Sequence, residues 1–445
     1  MHRISLCAVA LAMAMPVAQA QQQSLPEMRE ELKKLQQRID ELEGRVKEAE
    51  STATQAAQQA SARPQSESAL NPGISVILNG KYTNLSQDPA TYRINGFAPT
   101  MGDVAPPTRG FSLGESEIAF MANIDPMFRG TLIASISPDN DSIGVEEGYI
   151  QTLALPRGFT LKAGRFFSAI GYQNQVHAHA WDFTDAPLAM RVFLGGQLGE
   201  DGIQLRWVAP TEVYWDLGTE LGRGRAFPAS LSASGKNGAG SVNFFTHVGG
   251  DIGQSIAWQA GLSHFRTDPS DRTFDDPTAG VTNGFSGTSR LWVASGVLKW
   301  SPNGNPTDKN FKLQGEYFHR KEEGTLVFDS PGAALPNGYD SQQSGWYAQG
   351  VYQFMPMWRA GYRYDQLDSG TVNIDTSTSG LTPAAFPILA PYKPKKHSLM
   401  VDWNPSEFSR IRLQYARDYS RMNEPDNQVF LQYIVSLGAH GAHAF

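Results

Sequence analysis

Two histidines and an aspartate with short spacing could bind a metal ion. His177 and His179 are separated by one residue, and Asp182 follows in the same segment. Imidazole and carboxylate groups are ligands that suit zinc or copper. We therefore treat His177 and His179 as candidate metal ligands. In the alternative interpretation they are polar residues of a loop. His440 and His443, near the C-terminus, offer similar chemistry.

A second group of residues could act on charged solutes. Asp182 and Asp185 lie in one segment, and basic residues recur at alternating positions in three later segments. Acidic and basic residues on opposite sides of a water-filled passage create a transverse field, which orients and sorts small polar solutes. The candidate pore-lining and constriction residues are Asp182, Asp185, Lys312, Glu316, Arg320, Arg359, Arg363, Asp365, Arg410 and Arg412.

The pattern from residue 73 onward predicts the scaffold for these side chains. Segments of about 10 to 14 residues alternate apolar and polar positions, as strands of a transmembrane β-barrel do. We count sixteen such segments and predict an all-β fold, a 16-stranded antiparallel transmembrane barrel. Their predicted bounds are 73–86, 110–125, 128–140, 143–155, 159–170, 198–209, 212–223, 239–250, 254–267, 287–301, 309–328, 343–354, 358–368, 394–403, 408–420 and 426–438.

The connections between these segments alternate between short and long, with two exceptions at 141–142 and 421–425. An even strand number with this alternation puts both termini and the short turns on the periplasmic side. A charge on the lipid face costs about 2–4 kcal/mol at mid-bilayer, so the charged positions must face inward. A polar interior in a barrel of this size predicts a water-filled lumen.

The long connection 171–197 is the candidate constriction. It is the third external loop of the predicted barrel, and it combines charged with apolar residues. We expect Trp181, Phe183, Leu188 and Phe193 to pack against the barrel wall while Asp182 and Asp185 line the opening. The alternative is an ordinary surface loop.

Three further segments precede the barrel, which we assign to residues 73–445. Residues 1–20 have the basic start, apolar stretch and small-residue cleavage site of a signal peptide. Residues 21–60 show heptad spacing that predicts an α-helical coiled coil, and 61–72 have linker composition. A single such helix needs copies from other chains to bury its apolar positions, which predicts a homo-oligomer. The predicted contacts are Leu25, Met28, Leu32, Leu35, Ile39, Leu42 and Val46.

Composition excludes several function classes. The net charge of −7 argues against nucleic acid as a partner. The single cysteine, Cys7, lies in the predicted signal peptide, so a disulfide framework or thiolate site is not expected. We find no motif for an enzyme and expect no cofactor. Adjacent acids such as Glu146 and Glu147 would point to opposite faces of a strand.

The stretches 111–125, 145–165 and 402–415 and the closing segment 426–445 resemble Gram-negative outer-membrane porins. The order of signal peptide, coiled coil and barrel is similar to the phosphate-selective porin O and P architecture. That resemblance implies a trimeric barrel in the outer membrane with its coiled coil in the periplasm. Phosphate selectivity is not carried over, because the loop 171–197 has two aspartates, two histidines and one arginine, Arg191.

The sequence therefore predicts an outer-membrane porin, a passive channel for small hydrophilic solutes or ions. Its expected partners are membrane lipid, its own copies in a trimer, and peptidoglycan through the coiled coil. One alternative is a channel specific for metal ions or metal complexes. A second alternative is a structural protein that tethers the outer membrane to the cell wall.

Overall fold

The computed structural model describes Glu30, Lys33, Lys34 and the ranges 73–98, 104–137, 142–230 and 237–438. The chain divides into two compact units, Met1–Ala69 and Leu70–Phe445. In the first unit, the three described residues are helical and exposed. Several predictions lie outside the described residues: the signal peptide 1–20, the linker 61–72, the C-terminal His440 and His443, and the coiled-coil residues Leu25, Met28, Leu32, Leu35, Ile39, Leu42 and Val46.

The described part of the second unit is a closed antiparallel sheet. The strands are β1 (Gly73–Leu85), β2 (Gly110–Leu113), β3 (Ser116–Asn123), β4 (Phe128–Ser137), β5 (Ser142–Thr152), β6 (Phe159–Phe167), β7 (Gly199–Val208), β8 (Tyr214–Gly222), β9 (Ser241–Ile252), β10 (Ile256–Thr267), β11 (Arg272–Asp276), β12 (Val281–Trp300), β13 (Asn310–Phe328), β14 (Leu335–Met355), β15 (Trp358–Asp375), β16 (Lys395–Ser406), β17 (Ser409–Asp418) and β18 (Asp426–Gly438).

The first and last strands close the barrel. β1 pairs with β18 over an antiparallel register that runs from Ser75 opposite Gly438 to Leu85 opposite Gln428. β2 and β3 both pair with β1 and occupy one position in the barrel. β10 and β11 pair with successive parts of β12 and share a second position. The eighteen strands therefore fill sixteen barrel positions, which confirms the predicted strand number.

Strands β12, β14 and β15 are longer than the sequence predicted, with 20, 21 and 18 residues. β13, with 19 residues, agrees with its predicted segment to within one residue. β14 begins at Leu335, whereas the predicted segment begins at 343. Its first half alternates buried Asn337, Tyr339 and Ser341 with more exposed residues. Two of these buried residues are polar, so a criterion based on apolar residues began the predicted strand too late.

Side chains alternate between the two faces of the wall. On β15, Trp358 and Tyr362 are exposed on the outer face, whereas Arg363 and Asp365 are almost fully buried on the inner face. Exposed Leu313 on β13 repeats this pattern. The outer face is therefore apolar and aromatic, as contact with lipid requires.

A short helix, α1 (Leu188–Leu194), lies inside the barrel, and all seven of its residues are buried. Pro187 precedes it, and Gly195 ends it with a left-handed φ of 70° that suits glycine. Among the described residues, no helix is long and apolar enough to cross a membrane. Single 3-10 turns lie at Pro89–Thr91, Pro156–Gly158, Gln173–Gln175, Ala178–Ala180, Pro302–Gly304, Pro383–Ala385 and Pro387–Leu389.

Candidate functional site

The connection between β6 and β7 enters the barrel, and we call residues 168–198 the inner loop. Its two ends meet where the Ser168 amide donates to the carbonyl of Leu198 at 2.9 Å. Asn174 fixes this junction because its side-chain amide donates to the carbonyl of Ser168 at 2.8 Å and to that of Leu198 at 3.0 Å. Its Oδ1 accepts from the Leu198 amide at 2.7 Å. The loop thus leaves and rejoins the wall at one closed base.

Asp185 attaches the inner loop to one side of the barrel. Its carboxylate accepts hydrogen bonds from Lys396 Nζ at 2.7 Å, Arg363 Nη2 at 3.0 Å and Gln414 Nε2 at 3.0 Å. Arg191 of the loop donates to it at 2.9 Å. Burial disfavours the charge of Asp185, but Lys396, Arg363 and Arg191 outweigh burial and hold its pKa well below the usual value.

Asp182 makes a second attachment on the same side. It accepts from Lys312 Nζ at 3.0 Å and from Arg359 Nη1 at 3.1 Å. Arg359 also contacts Asp402, whose carboxylate pairs with Arg412 Nε at 2.7 Å. Burial opposes ionisation of Asp182, yet the two cations lower its pKa. We call Lys312, Arg359, Arg363, Lys396 and Arg412 the basic wall.

The structure places the other predicted wall residues against the inner loop. Arg410 donates to the carbonyl of Trp181 at 3.2 Å, and Arg320 to that of Val192 at 3.4 Å. Two acids accept loop amides: Asp365 from Leu188 at 2.9 Å and Glu316 from Tyr172 at 2.6 Å. Arg412 is the exception, since its hydrogen bonds go to Asp402 and Gln432 of the wall.

The arrangement of charge differs from the one expected from the sequence. Asp182 and Asp185 do not face the basic residues across an opening; they contact them. The loop reaches the wall, and a buried carboxylate is stable there only when it is paired. These charges therefore hold the loop in place, which is a structural role as well as an electrostatic one.

His177 and His179 lie on the opposite side of the inner loop, against Glu117 of β3 and Glu146 and Glu147 of β5. His179 Nδ1 is 2.8 Å from Glu117 Oε1, and His177 Nε2 is 3.1 Å from Glu147 Oε2. His177 Nδ1 lies 3.3 Å from Glu117 Oε2 and 3.4 Å from Glu146 Oε2. We call these three glutamates the acidic wall. Burial opposes a charge on His177, but the glutamates outweigh it and raise the pKa of His177 well above the usual value.

The carboxylate expected beside the histidines, Asp182, is therefore not their partner. Asp182 pairs with Lys312 and Arg359 of the basic wall instead. The glutamates that contact the histidines are 30 or more residues away in sequence. Local spacing could not find this contact, because it depends on how the loop crosses the barrel.

A β-bulge explains why Glu146 and Glu147 act together. The β4–β5 register shifts so that Ile133 opposes Glu147 while Ala134 opposes Val145. Glu146 is the extra residue, and a bulge redirects side chains in this way. Both carboxylates then contact His177. The expectation that these adjacent acids point to opposite faces was wrong for this reason.

An apolar cluster fills part of the lumen, contrary to the expectation of a uniformly polar interior. Phe193 of α1 stacks on Phe318 of the wall, with ring centroids 5.8 Å apart, and meets Phe97 edge-on at 6.0 Å. Phe97 belongs to the connection between β1 and β2, which sequence reasoning did not place inside. The cluster also contains buried Trp181 and Leu188 of the loop and Phe265, Leu291, Val293, Tyr347 and Leu367 of the wall. The apolar residues at inward positions of β10 and β12 are the sequence signal that could have predicted this cluster.

Basic side chains surround the lumen at the end of the barrel with the short connections, and we call them the basic belt. Water reaches them: Lys312 is 25%, Arg410 24% and Arg359 18% exposed. Sequence reasoning named these three and missed four others, although each occupies an inward position near a short connection. The four are Arg129, Lys162, Arg206 and Lys299, all exposed or half-buried.

Known proteins resemble this chain in fold. No protein-family model matches it. An uncharacterized protein of Aquifex aeolicus is 29% identical over 408 residues, which cover 85% of this chain and 81% of that protein. The trimer form of OmpT, an outer membrane protein of Vibrio cholerae, aligns with a TM-score of 0.52 and 11% identity, over 82% of this chain and 99% of that chain. Its loop L8 deletion mutant gives 0.50, with 11% identity and the same coverage. The chain thus has the fold of an outer-membrane β-barrel.

Proposed function

We propose that this protein is an outer-membrane porin through which small hydrophilic solutes or ions diffuse passively. One observation carries the proposal: water reaches charged side chains inside a closed barrel whose outer face is apolar. On β15, inward Arg359 is 18% exposed between outward Trp358 and Ala360. An apolar exterior fits lipid, and a charged, wetted interior fits a solute path.

The inner loop is the constriction in this proposal. Its apolar residues pack with the wall, and its aspartates are fixed by the basic wall. In this proposal solutes pass beside the loop and past the basic belt, so we expect the channel to favour anions at low salt. The function assigned is transport without catalysis.

Planar-bilayer recording tests the channel directly. The purified full chain should give stepwise conductance increments that scale with salt concentration. Protein from the same preparation, unfolded before addition, is the control and should give none. Absence of steps from a folded barrel would contradict the channel and would favour the structural tether between outer membrane and cell wall.

We also propose that the chain assembles as a trimer through the coiled coil of residues 21–60 in the periplasm. The heptad pattern supports this, and the OmpT structure of similar fold is described as a trimer. Deletion of residues 21–60 should lower the oligomer mass measured by light scattering while the conductance of each barrel persists. An unchanged mass would show that the barrel wall alone holds the copies together.

A further inference from the structure

The acidic wall and the inner loop bring four carboxyl groups and two imidazoles together at one place inside the barrel. Lys81 acts on Glu115, and Lys162 acts on Glu147. Lys162 Nζ lies over the Tyr149 ring, 4.4 Å from its centroid. Two lysines thus lie beside this group of carboxyl and imidazole side chains. The full group is Glu115, Glu117, Glu146, Glu147, His177 and His179.

The atoms of this group have the spacing of metal ligands. A tetrahedral ion with bonds of about 2.0 Å separates its ligand atoms by about 3.3 Å. His177 Nδ1 lies 3.3 Å from Glu117 Oε2 and 3.4 Å from Glu146 Oε2. His177 Nδ1 and Glu146 Oε2 are buried, yet neither makes a hydrogen bond. One ligand atom each from Glu117, His177 and His179 fits within 4.8 Å of the others.

The second nitrogen of His177 is oriented as in a metal-bound imidazole. Nε2 lies 3.1 Å from Glu147 Oε2, so it donates its proton there. Glu147 is itself fixed, because its Oε1 accepts from the Phe167 amide at 3.0 Å. A carboxylate behind the histidine is the usual outer partner of a zinc ligand. His177 Nδ1 then points at the carboxylate oxygens of Glu117 and Glu146, and a metal ion between them would bind all three atoms.

We propose that Glu117, Glu146, His177 and His179 bind one divalent transition-metal ion, of which zinc fits best. Two imidazoles and two carboxylates suit zinc, whereas calcium and magnesium prefer oxygen ligands alone. Glu147 is a positioning residue that orients His177. The ligands come from β3, from β5 and from the inner loop, so the ion clamps the loop to the acidic wall. This metal site would attach the loop to the wall, and its existence does not depend on whether the barrel conducts ions.

Zinc titration of the folded full chain tests this proposal. The parent for all variants carries His440→Ala and His443→Ala, so that the C-terminal histidines contribute no binding. After chelator treatment and dialysis, calorimetry at neutral pH should show one zinc ion per chain. Cobalt(II) in place of zinc should give the intense visible absorption of a tetrahedral site. A folded parent that binds no stoichiometric zinc overturns the proposal and leaves a proton on His177 as the compensating charge.

Variants locate the ion. His177→Ala should weaken zinc binding about 100-fold or more, and Glu147→Gln about 10- to 100-fold. His264→Ala is the matched control, since His264 faces Trp292 on the outer side of the barrel and should leave binding unchanged. Zinc binding that survives His177→Ala overturns the site. If that variant does not fold, His177→Gln replaces it, and the cobalt spectrum of the parent still reports whether nitrogen ligands form a tetrahedral site.

Discussion

The inner loop is attached to the barrel on two sides that use opposite chemistry. On the basic wall, loop carboxylates contact guanidinium and ammonium groups. Asp185, for example, contacts both Arg363 and Lys396. On the acidic wall, the loop offers His177 and His179 to glutamates. Arginine and lysine are charged at any physiological pH, whereas imidazole is charged only when it binds a proton. The first attachment is therefore permanent, and the second depends on a proton or a metal ion.

This difference predicts which attachment dominates the stability of the loop. Asp185 is 5% exposed and pairs with three cations, all of which are almost fully buried. Loss of a buried partner leaves the opposite charges uncompensated, which costs about 3–5 kcal/mol. The histidine contacts lie closer to the surface, with side chains 12–17% exposed, and without a metal ion they should contribute less.

Asp185→Asn should therefore produce the largest effect. It removes the loop carboxylate from Arg363 and Lys396, which keep only the wall carboxylates of Asp365 and Asp418. The free energy of local opening of α1 should fall by about 3–5 kcal/mol. Hydrogen exchange of the amides of residues 188–194 measures this. Asp201→Asn is the control, because the Asp201–Arg165 pair is 40–46% exposed and should contribute less than about 1 kcal/mol. Equal effects of the two substitutions would show that the basic wall does not hold the loop.

The second-largest effect is expected from acid, which should weaken the attachment of the loop to the basic wall. The pKa of Asp185 is depressed in the folded state, so its contribution is present above the unfolded pKa of about 3.9 and is lost as pH falls toward the folded value. Protection of α1 should stay constant from pH 7 to about pH 5. Below about pH 4 it should fall by about 1 kcal/mol per pH unit for this group.

The comparison with Asp185→Asn isolates the titrating group. The variant should lack this part of the acid dependence, since the amide has no proton to gain. The surrounding cations Lys396, Arg363 and Arg191 are the same in both proteins. An acid dependence identical in parent and variant would assign the titration to other carboxylates, such as those of the acidic wall.

The sequence predicted the features that depend on local periodicity. The alternation of apolar and polar residues and the lengths of the connections predicted sixteen barrel positions. The mixture of apolar and charged residues in one long connection indicated that it enters the lumen. These signals are local, because each strand must present one face to lipid and one to the interior. The facing of Arg363 and Asp365 on β15 followed directly from this rule.

The contacts between distant segments could not be predicted in this way. The partner of the histidines is set by the path of the loop across the barrel, and a single extra residue at Glu146 reverses the facing of one carboxylate. Leu291 and Val293 point inward because they belong to the same apolar cluster as Phe193 of the loop. Strand alternation alone does not indicate this contact. Periodicity says which face a residue occupies, whereas function at this site depends on what it meets there.

Some basic residues hold the loop, and others face the proposed solute path. Lys299 lies in the basic belt and is half-buried. In the proposed channel, Lys299→Gln should lower the anion-to-cation permeability ratio at 0.1 M salt, where the Debye length is about 10 Å, and have little effect at 1 M, where it is about 3 Å. Reversal potentials across a potassium chloride gradient measure the ratio. Lys393→Gln is the matched control, because Lys393 is 70% exposed between β15 and β16 and pairs with Asp368. Equal shifts from both substitutions would mean that net charge, and not the basic belt, sets the preference.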